Sequence, residues 1–177
     1  MLNLNLFVTA KAREDVMKYE PKVALGHVGT HIDLKGKDFK DTDLKGVIIR
    51  CQENGVIEDA DLSMVKEGSF VMLNTMHSRR IEYGRKEYFS GYATLSDALI
   101  EKLIARKVAL IGIDGPGIKS GKEHPLTDQY LADKGIFVIE NLCYLFLLKE
   151  GTEYDISVKA LDSVNDGMPV EVIVHNY

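Results

Sequence analysis

The sequence predicts a mixed α/β domain in which strands alternate with a few helices and two antiparallel strands close the chain. Three observations support this class. Short apolar or β-branched runs, each bounded by turn residues, favour buried strands. One amphipathic segment has a serine before it and basic residues in its last turn, which is typical of a helix. Two alternating segments near the C-terminus are separated by Asn165-Asp166-Gly167, which predicts a hairpin-like pair.

The first half of the chain combines short strands with two short helices and a long loop. Strands are predicted at 1–6, 47–49 and 70–73, helices at 10–19 and 58–65, and a loop at 79–92. Pro21 ends the first helix, because a residue before proline avoids the helical conformation. The second helix is predicted from early acidic residues and helically spaced apolar residues. In the loop, Tyr88, Phe89 and Tyr92 suit a pocket wall or a subunit contact.

The second half alternates helices and strands more regularly. Ser96 is a suitable N-cap for a helix whose apolar face contains Leu99, Leu103 and Ile104. Further strands are predicted at 108–113 and 136–139, a helix at 126–134, and the hairpin strands at 154–161 and 170–174. Gly135 suits the end of the second helix, since glycine readily adopts the left-handed conformation found there.

Composition indicates one intracellular globular domain spanning 1–177, because 45% of its 177 residues are apolar and 28% are charged. The net charge of -5 argues against a nucleic-acid partner, whose binding proteins usually carry a basic stripe. No apolar run approaches the ~18 residues that a membrane span requires. The N-terminus lacks the charged start and apolar run of a signal peptide, so we expect a cytoplasmic protein with no membrane partner.

The segment from Gly26 to Asp33 contains the residues best suited to chemistry. Imidazole and carboxylate groups are ligands that zinc and manganese accept, and His27, His31 and Asp33 would share one face of a strand. In a straight strand, however, the two histidines would lie about 13 Å apart, too far to share one ion. Gly29 tolerates the bend that would bring them together. Spacing alone leaves open a surface strand with an incidental acidic neighbour.

The segment His27-Val28-Gly29-Thr30-His31-Ile32-Asp33 resembles the HxGTHxD signature of the cyclase family of metal-dependent hydrolases, which includes kynurenine formamidase and isatin hydrolase. The resemblance continues through Gly112-Ile113-Asp114 and Ile139-Glu140-Asn141-Leu142, and spans roughly residues 22–148. It implies a swivelling β/β/α fold, a homo-oligomer such as a dimer or tetramer, and a hydrolase of small-molecule amides, often N-formyl or cyclic. The implied cofactor is a divalent metal, zinc first and manganese second.

Carried over residue by residue, the resemblance makes His27, His31 and Asp33 metal ligands. Glu140 matches a further carboxylate that faces the metal. Asp114 matches an aspartate whose role is structural or close to the site, although an aspartate before Gly115 also suits an ordinary turn.

Two departures from the family pattern affect the predicted chemistry. The family has a proline and then a histidine after the ligand aspartate, where this chain has Lys35 and Lys37, and it has a histidine at the position of Asp128. His124 lies four residues earlier and is a possible substitute, although Pro125 argues against a regular turn there. We hypothesise that the Lys37 ammonium group replaces a second metal as counter-charge; the alternative is a solvated loop lysine.

Three functional hypotheses follow. The first is a metal-dependent amide hydrolase similar to arylformamidases, in which a metal-activated water attacks and Asp128, Glu140 or Lys37 accepts the proton. The second is a catalytically impaired relative that binds a metal or small ligand without turnover, favoured by the absent histidine. The third is a structural or interaction domain whose histidines are incidental. Metal content, substrate assays and chelator-dependent stability would distinguish them.

Overall fold

An eight-stranded mixed sheet forms the centre of the protein in the computed structural model, which describes residues 1–18, 20, 26–161 and 166–177. Its strands are β1 (Leu2–Asn3), β2 (His31–Asp33), β3 (Thr42–Arg50), β5 (Phe70–Asn74), β7 (Leu110–Ile113), β8 (Phe137–Glu140), β9 (Glu153–Ala160) and β10 (Gly167–Val174). Two short strands, β4 (Val56–Ile57) and β6 (Thr94–Leu95), pair separately. The α-helices are α1 (Ala10–Met17), α2 (His77–Arg80), α3 (Asp97–Ala105) and α4 (Glu123–Ala132), with 3-10 turns at Lys86–Phe89 and Leu145–Leu147.

The large sheet closes on itself. Its strand order is β1-β10-β2-β8-β7-β5-β3-β9, and β9 also pairs with β10. Strands β3, β5, β7 and β8 are parallel, whereas β2, β9 and β10 join them by antiparallel pairing. Because β10 pairs with β2 through its first residues and with β9 through its last five, it links the two ends of the sheet into a barrel-like ring. This arrangement confirms the predicted mixed α/β class.

Alternating side chains of the same strands fill two separate cores. Ile48 and Met72 belong to the cluster that all the barrel strands share, together with Ile156 and Val172. Their sequence neighbours point the other way, and this second cluster includes Leu99 and Leu103 of α3 and Leu131 of α4. The parallel strands are therefore buried on both faces, which explains why they appear in the sequence as continuous apolar runs rather than alternating ones.

Most predicted elements are confirmed, with shifted boundaries. The hairpin is present as the antiparallel pair β9–β10, while residues 162–165 of its connection lie outside the described residues. Ser96 caps α3, since its hydroxyl accepts a hydrogen bond from Leu99 N at 3.1 Å. The opening strand is shorter than predicted, and the predicted loop at 79–92 contains the end of α2 and a 3-10 turn. Among the described helices, none is long and apolar enough to cross a membrane.

The helix predicted at 58–65 is wrong. The segment is irregular because its acidic side chains bond to nearby backbone instead of leaving it free for a helix. Asp59 accepts a hydrogen bond from Ala60 N at 3.0 Å, and Asp61 accepts one from Ser63 N at 2.9 Å. Such local bonds favour turns, which is why aspartate is a poor residue for a helix interior.

Candidate metal centre

The short strand β2 places two of the predicted ligands on the face of the sheet opposite Ile32, which packs into the core that the barrel strands share. His31 and Asp33 are two residues apart, so they project from the same face. His31 lies opposite Glu140 of β8, and Asp33 lies opposite Gly167 of β10. His31, Asp33 and Glu140 are all buried. Three predicted site residues therefore converge because β2 is paired on both edges.

A backbone bend at Gly29 brings His27 to the same place. Gly29 has a φ of 63°, in the left-handed region that favours glycine, and a Cβ there would lie 2.9 Å from a Val8 methyl carbon. The Thr30 hydroxyl donates a hydrogen bond to Asn141 O at 2.8 Å and holds the bend against β8. The ring centroids of the two histidines are 5.1 Å apart, rather than the separation of a straight strand. The predicted chain reversal is confirmed.

Helix α4 supplies two further groups, His124 and Asp128. The helix begins three residues earlier than predicted and includes Pro125, which is tolerated because the first turn needs no backbone N–H from it. His124 and Asp128 are four residues apart and so lie on one side of the helix, with His124 Nε2 3.1 Å from Asp128 Oδ2. The same Nε2 atom lies 2.7 Å from Glu140 Oε1. His124 thus supplies an imidazole where the family histidine is absent.

The buried polar atoms at this centre fit a metal ion. His31 Nδ1 lies 2.9 Å from Gly29 O, and donation there leaves Nε2 free to bind a cation. Nε2 of His31 and His124, Oδ1 of Asp33, both oxygens of Asp128 and Oε1 of Glu140 are buried without a hydrogen-bond partner. Unsatisfied buried polar atoms are rare in proteins. Two overlapping ligand groups share Asp33, and the donor atoms within each lie within 4.8 Å of one another: His27, His31 and Asp33, and Asp33, His124, Asp128 and Glu140.

The electrostatics of the cluster also favour a cation. Burial raises the pKa of Asp128 to about 6, and the negative charges of Glu140 and Asp33 add to that rise. Burial alone would lower the pKa of His124, but its contacts with Glu140 and Asp128 together outweigh burial and raise the pKa to about 11. Asp33 behaves oppositely: burial would raise its pKa, yet contact with His27 and His31 lowers it. The buried carboxylates of the cluster therefore stabilise a positive charge beside them, and a divalent ion would supply that charge.

Lys35, and not Lys37, lies beside these carboxylates. Lys35 Nζ is 2.9 Å from Asp33 Oδ2, and its side chain is only 11% exposed. Burial would lower the pKa of Lys35, but the charge and hydrogen bond of Asp33, together with the charges of Asp166 and Asp128, raise it overall, so the amine stays protonated. Lys37 instead pairs with Asp133 at 2.8 Å, with 43% of its side chain exposed. The position predicted for Lys37 is wrong, and with it the proton-accepting and counter-charge roles that depended on that position.

Asp114 lies away from the ligand cluster and has a structural role. It is buried, and its Oδ1 accepts hydrogen bonds from Thr75 N at 2.9 Å and from Thr75 Oγ1 at 2.6 Å. Burial raises the pKa of Asp114 despite these bonds. The residue thus joins the ends of two neighbouring parallel strands, β5 and β7, in agreement with the structural alternative.

A small cavity of about 200 Å³ opens onto the cluster. Phe89 and Tyr92 form an apolar part of its wall, as the pocket-wall alternative predicts, and the Tyr92 hydroxyl donates to Lys119 O at 2.9 Å. Tyr88 is fully buried instead and donates a hydrogen bond to Asn141 Oδ1 at 3.0 Å. The other lining residues are Glu20, His27, His31, Pro116, Gly121, His124, Glu140 and Asn141.

The closed mixed sheet and the buried histidine–carboxylate cluster define an α/β protein whose buried donor atoms could hold a divalent metal. Residues 8–120, well over half of the chain, match the Cyclase family, described as "Putative cyclase". The chain belongs to this family. No curated protein matches the sequence.

Several solved structures share the fold of this chain. A potential metal-dependent hydrolase with cyclase activity is 21% identical, with a TM-score of 0.65 over 84% of this chain and 78% of that chain. Isatin hydrolase A from Ralstonia solanacearum is 18% identical, with a TM-score of 0.66 over 84% of this chain and 72% of that chain. A predicted metal-dependent hydrolase from Bacillus stearothermophilus is 22% identical, with a TM-score of 0.59 over 84% of this chain and 77% of that chain.

Proposed function

We propose that this protein is a metal-dependent hydrolase that cleaves an amide bond of a small N-formyl or cyclic amide. The observation that carries the proposal is a set of buried imidazole and carboxylate atoms that lack well-formed hydrogen bonds and lie against one another beside a small cavity. Structural similarity to proteins named as isatin hydrolase and metal-dependent hydrolase supports the same reaction class.

His27, His31, Asp33 and Glu140 are the proposed ligands. A divalent ion held by them would polarise a substrate carbonyl and lower the pKa of a water molecule toward ~7. Zinc suits this mixture of nitrogen and oxygen ligands, and manganese is the alternative. The nearby Lys35 ammonium group adds a fixed positive charge, which favours a single ion over a pair.

His124 is the group best placed to move a proton. His124 lines the cavity, and its buried Nε2 atom lies between Asp128 and Glu140, at 3.1 Å and 2.7 Å. Asp128, predicted as a proton acceptor from the sequence, is not among the residues that line the cavity, and the role we propose for it is to orient His124. A cation near Glu140 would oppose the high proton affinity that the carboxylates give His124, since a like charge disfavours the protonated imidazole. His124 can then accept a proton from water and return it to the leaving amine.

The cavity favours a small substrate without a negative charge. Among the described residues that line it, none is a lysine or arginine, whereas Glu20 and Glu140 both contribute carboxylates. Phe89 and Tyr92 offer flat apolar surfaces against which a planar ring can pack. We therefore expect a neutral cyclic imide or aromatic formamide to be preferred over an anionic one.

The test combines metal analysis with a substrate panel. The purified protein is assayed by mass spectrometry for bound metal, and with added Zn²⁺ or Mn²⁺ on N-formyl arylamines, cyclic imides and lactones. His31→Ala removes one proposed ligand, and His175→Ala serves as a control because His175 is exposed near the C-terminus. We expect metal binding and amide hydrolysis in the wild type and the control, and neither in His31→Ala.

The remaining outcomes separate the competing hypotheses. Metal binding without turnover on the panel would favour a catalytically impaired relative that only binds a metal or ligand. Unchanged metal content in His31→Ala would contradict the proposed ligand set. A homo-oligomer and a cytoplasmic location remain predictions, which light scattering and cell fractionation test.

A further inference from the structure

Asp33 and His27 each have one side-chain atom that contacts a residue outside the ligand cluster. These atoms are Asp33 Oδ2 and His27 Nε2. Asp33 Oδ1 faces the imidazoles, with His27 Nδ1 at 2.8 Å and His31 Nε2 at 3.3 Å. Asp33 Oδ2 points the other way and accepts a hydrogen bond from Lys35 Nζ at 2.9 Å. His27 Nε2 lies 3.5 Å from Asp166 Oδ2.

Asp166 connects these two outer contacts. Its Oδ1 accepts a hydrogen bond from Lys35 N at 3.0 Å, and its Oδ2 accepts one from Lys35 Nζ at 3.2 Å. Its backbone carbonyl accepts a further bond from Leu34 N at 2.8 Å. Asp33, Lys35, Asp166 and His27 therefore form a closed ring of polar contacts around the edge of the site.

The backbone is shaped to bring these residues together. Lys35 has a φ of 50°, a left-handed conformation that is uncommon for a residue with a side chain. Gly167 follows Asp166, and a Cβ there would lie 2.6 Å from His27 N, so only glycine lets this turn approach the His27 backbone. Such conformations persist where surrounding contacts hold them, and they cluster at functional sites.

We propose that Lys35 and Asp166 are positioning residues for the metal ligands. By occupying Asp33 Oδ2, Lys35 leaves only Oδ1 for an ion. By lying beside His27 Nε2, Asp166 directs Nδ1 of that histidine toward the ion. A histidine ligand usually donates its other nitrogen to a carboxylate, which fixes its tautomer and orientation. The inference rests on the proposed function, since it requires the cluster to bind a metal.

Neither residue belongs to the motif that identified the family. Lys35 stands where the resemblance expects a proline, and Asp166 lies beyond residues 8–120 that match the family. The pair connects the start of β10 to the end of β2, so the C-terminal hairpin becomes part of the metal centre rather than only a part of the sheet.

The experiment measures Co²⁺ binding by the full-length protein, using competition with a chromophoric chelator and the visible absorption of the bound ion. The variants are Asp166→Ala, Asp166→Asn and Lys35→Met. Lys37→Met is the matched control, because Lys37 lies two residues away and pairs with Asp133 at the surface. Circular dichroism and thermal melting of the metal-free proteins establish that each variant folds.

We expect Asp166→Ala to weaken Co²⁺ binding about 10- to 100-fold, the range typical when a group that orients a metal ligand is removed. Asp166→Asn keeps an oxygen for Lys35 and should lose less. Lys35→Met should change the Co²⁺ absorption spectrum, because Asp33 Oδ2 becomes free to bind the ion. Lys37→Met should match the wild type in both measurements.

Wild-type affinity and spectrum in Asp166→Ala and Lys35→Met would overturn this inference while leaving the metal site intact. Equal changes in Lys37→Met would also overturn it, since the effect would then come from removing any nearby positive charge. A wild-type protein that binds no Co²⁺, Zn²⁺ or Mn²⁺ would instead overturn the proposed function itself.

Discussion

Gly117 lies where the metal centre has no room for a side chain. A Cβ at this position would lie 2.6 Å from His124 Cε1 and 3.0 Å from Glu140 Oε1. The contact with His124 matters because this imidazole reaches the cavity only through its place between Asp128 and Glu140. Any displacement of His124 would separate the proposed proton acceptor from the substrate without removing a metal ligand on β2.

We therefore predict that Gly117→Ala lowers kcat/KM by about 100-fold, the scale expected when a catalytic group moves by ~1 Å. Gly68→Ala is the control, because Gly68 also has a positive φ but would place its Cβ in open space and does not line the cavity. Steady-state kinetics on the best substrate of the panel, with metal content measured in parallel, provides the test. Equal losses in both variants would show that backbone strain, rather than crowding of His124, is the cause.

For single residues, the sequence predicted the proposed metal ligands better than the residues that contact those ligands. His27, His31 and Asp33 could be predicted because three ligand-type residues flank a glycine that permits a bend. The lysine was misplaced because the family pattern put a histidine at Lys37, whereas the left-handed conformation of Lys35 turns that residue inward. Asp166 could not be predicted, since 133 residues separate it from Asp33 along the chain and only strand pairing brings them together.

Individual helices and strands were predictable where local signals and packing agree. The segment after Ser96 has a cap, an apolar face and basic residues in its last turn, and it forms α3 as expected. Helix α4 begins at Glu123, three residues before the predicted start at Leu126, because the first helical turn accepts Pro125. A helix that starts at Leu126 would leave out His124, so the sequence did not predict that α4 directs His124 toward Glu140.

The cap of α3 gives a quantitative prediction for stability. Ser96→Ala removes the hydroxyl that accepts a hydrogen bond from Leu99 N, leaving a buried backbone donor without a partner. We expect the free energy of unfolding to fall by about 1 kcal/mol, the usual cost of losing a serine cap. Urea denaturation measures it, with Ser120→Ala as a control at an exposed position. A change below ~0.3 kcal/mol would contradict the role of Ser96 as a cap.

For the whole molecule, the pairing of β2 with β8 on one edge and with β10 on the other assembles the candidate metal centre. The proposed ligands come from the bend before β2, from β2 itself and from β8, and α4 adds His124, the proposed proton acceptor. The pairing of β10 with β2 places Asp166 and Gly167 against the same bend. The sequence predicted a mixed sheet with a terminal hairpin, but not the ring, because closure depends on which distant strands pair with each edge of β10.

An ion that joins these elements should stabilise the entire fold. At a free concentration 100 times its Kd, a ligand that binds only the folded chain adds about 2.7 kcal/mol. For a domain of this size each kcal/mol shifts Tm by about 2–4 °C, so we expect a chelator to lower Tm by about 5–11 °C. Differential scanning calorimetry of the metal-loaded protein with and without chelator measures the shift, and His31→Ala should show none. An unchanged Tm in a wild-type preparation proven to contain one equivalent of metal would mean that the bound ion lies outside this centre or binds the unfolded chain equally well.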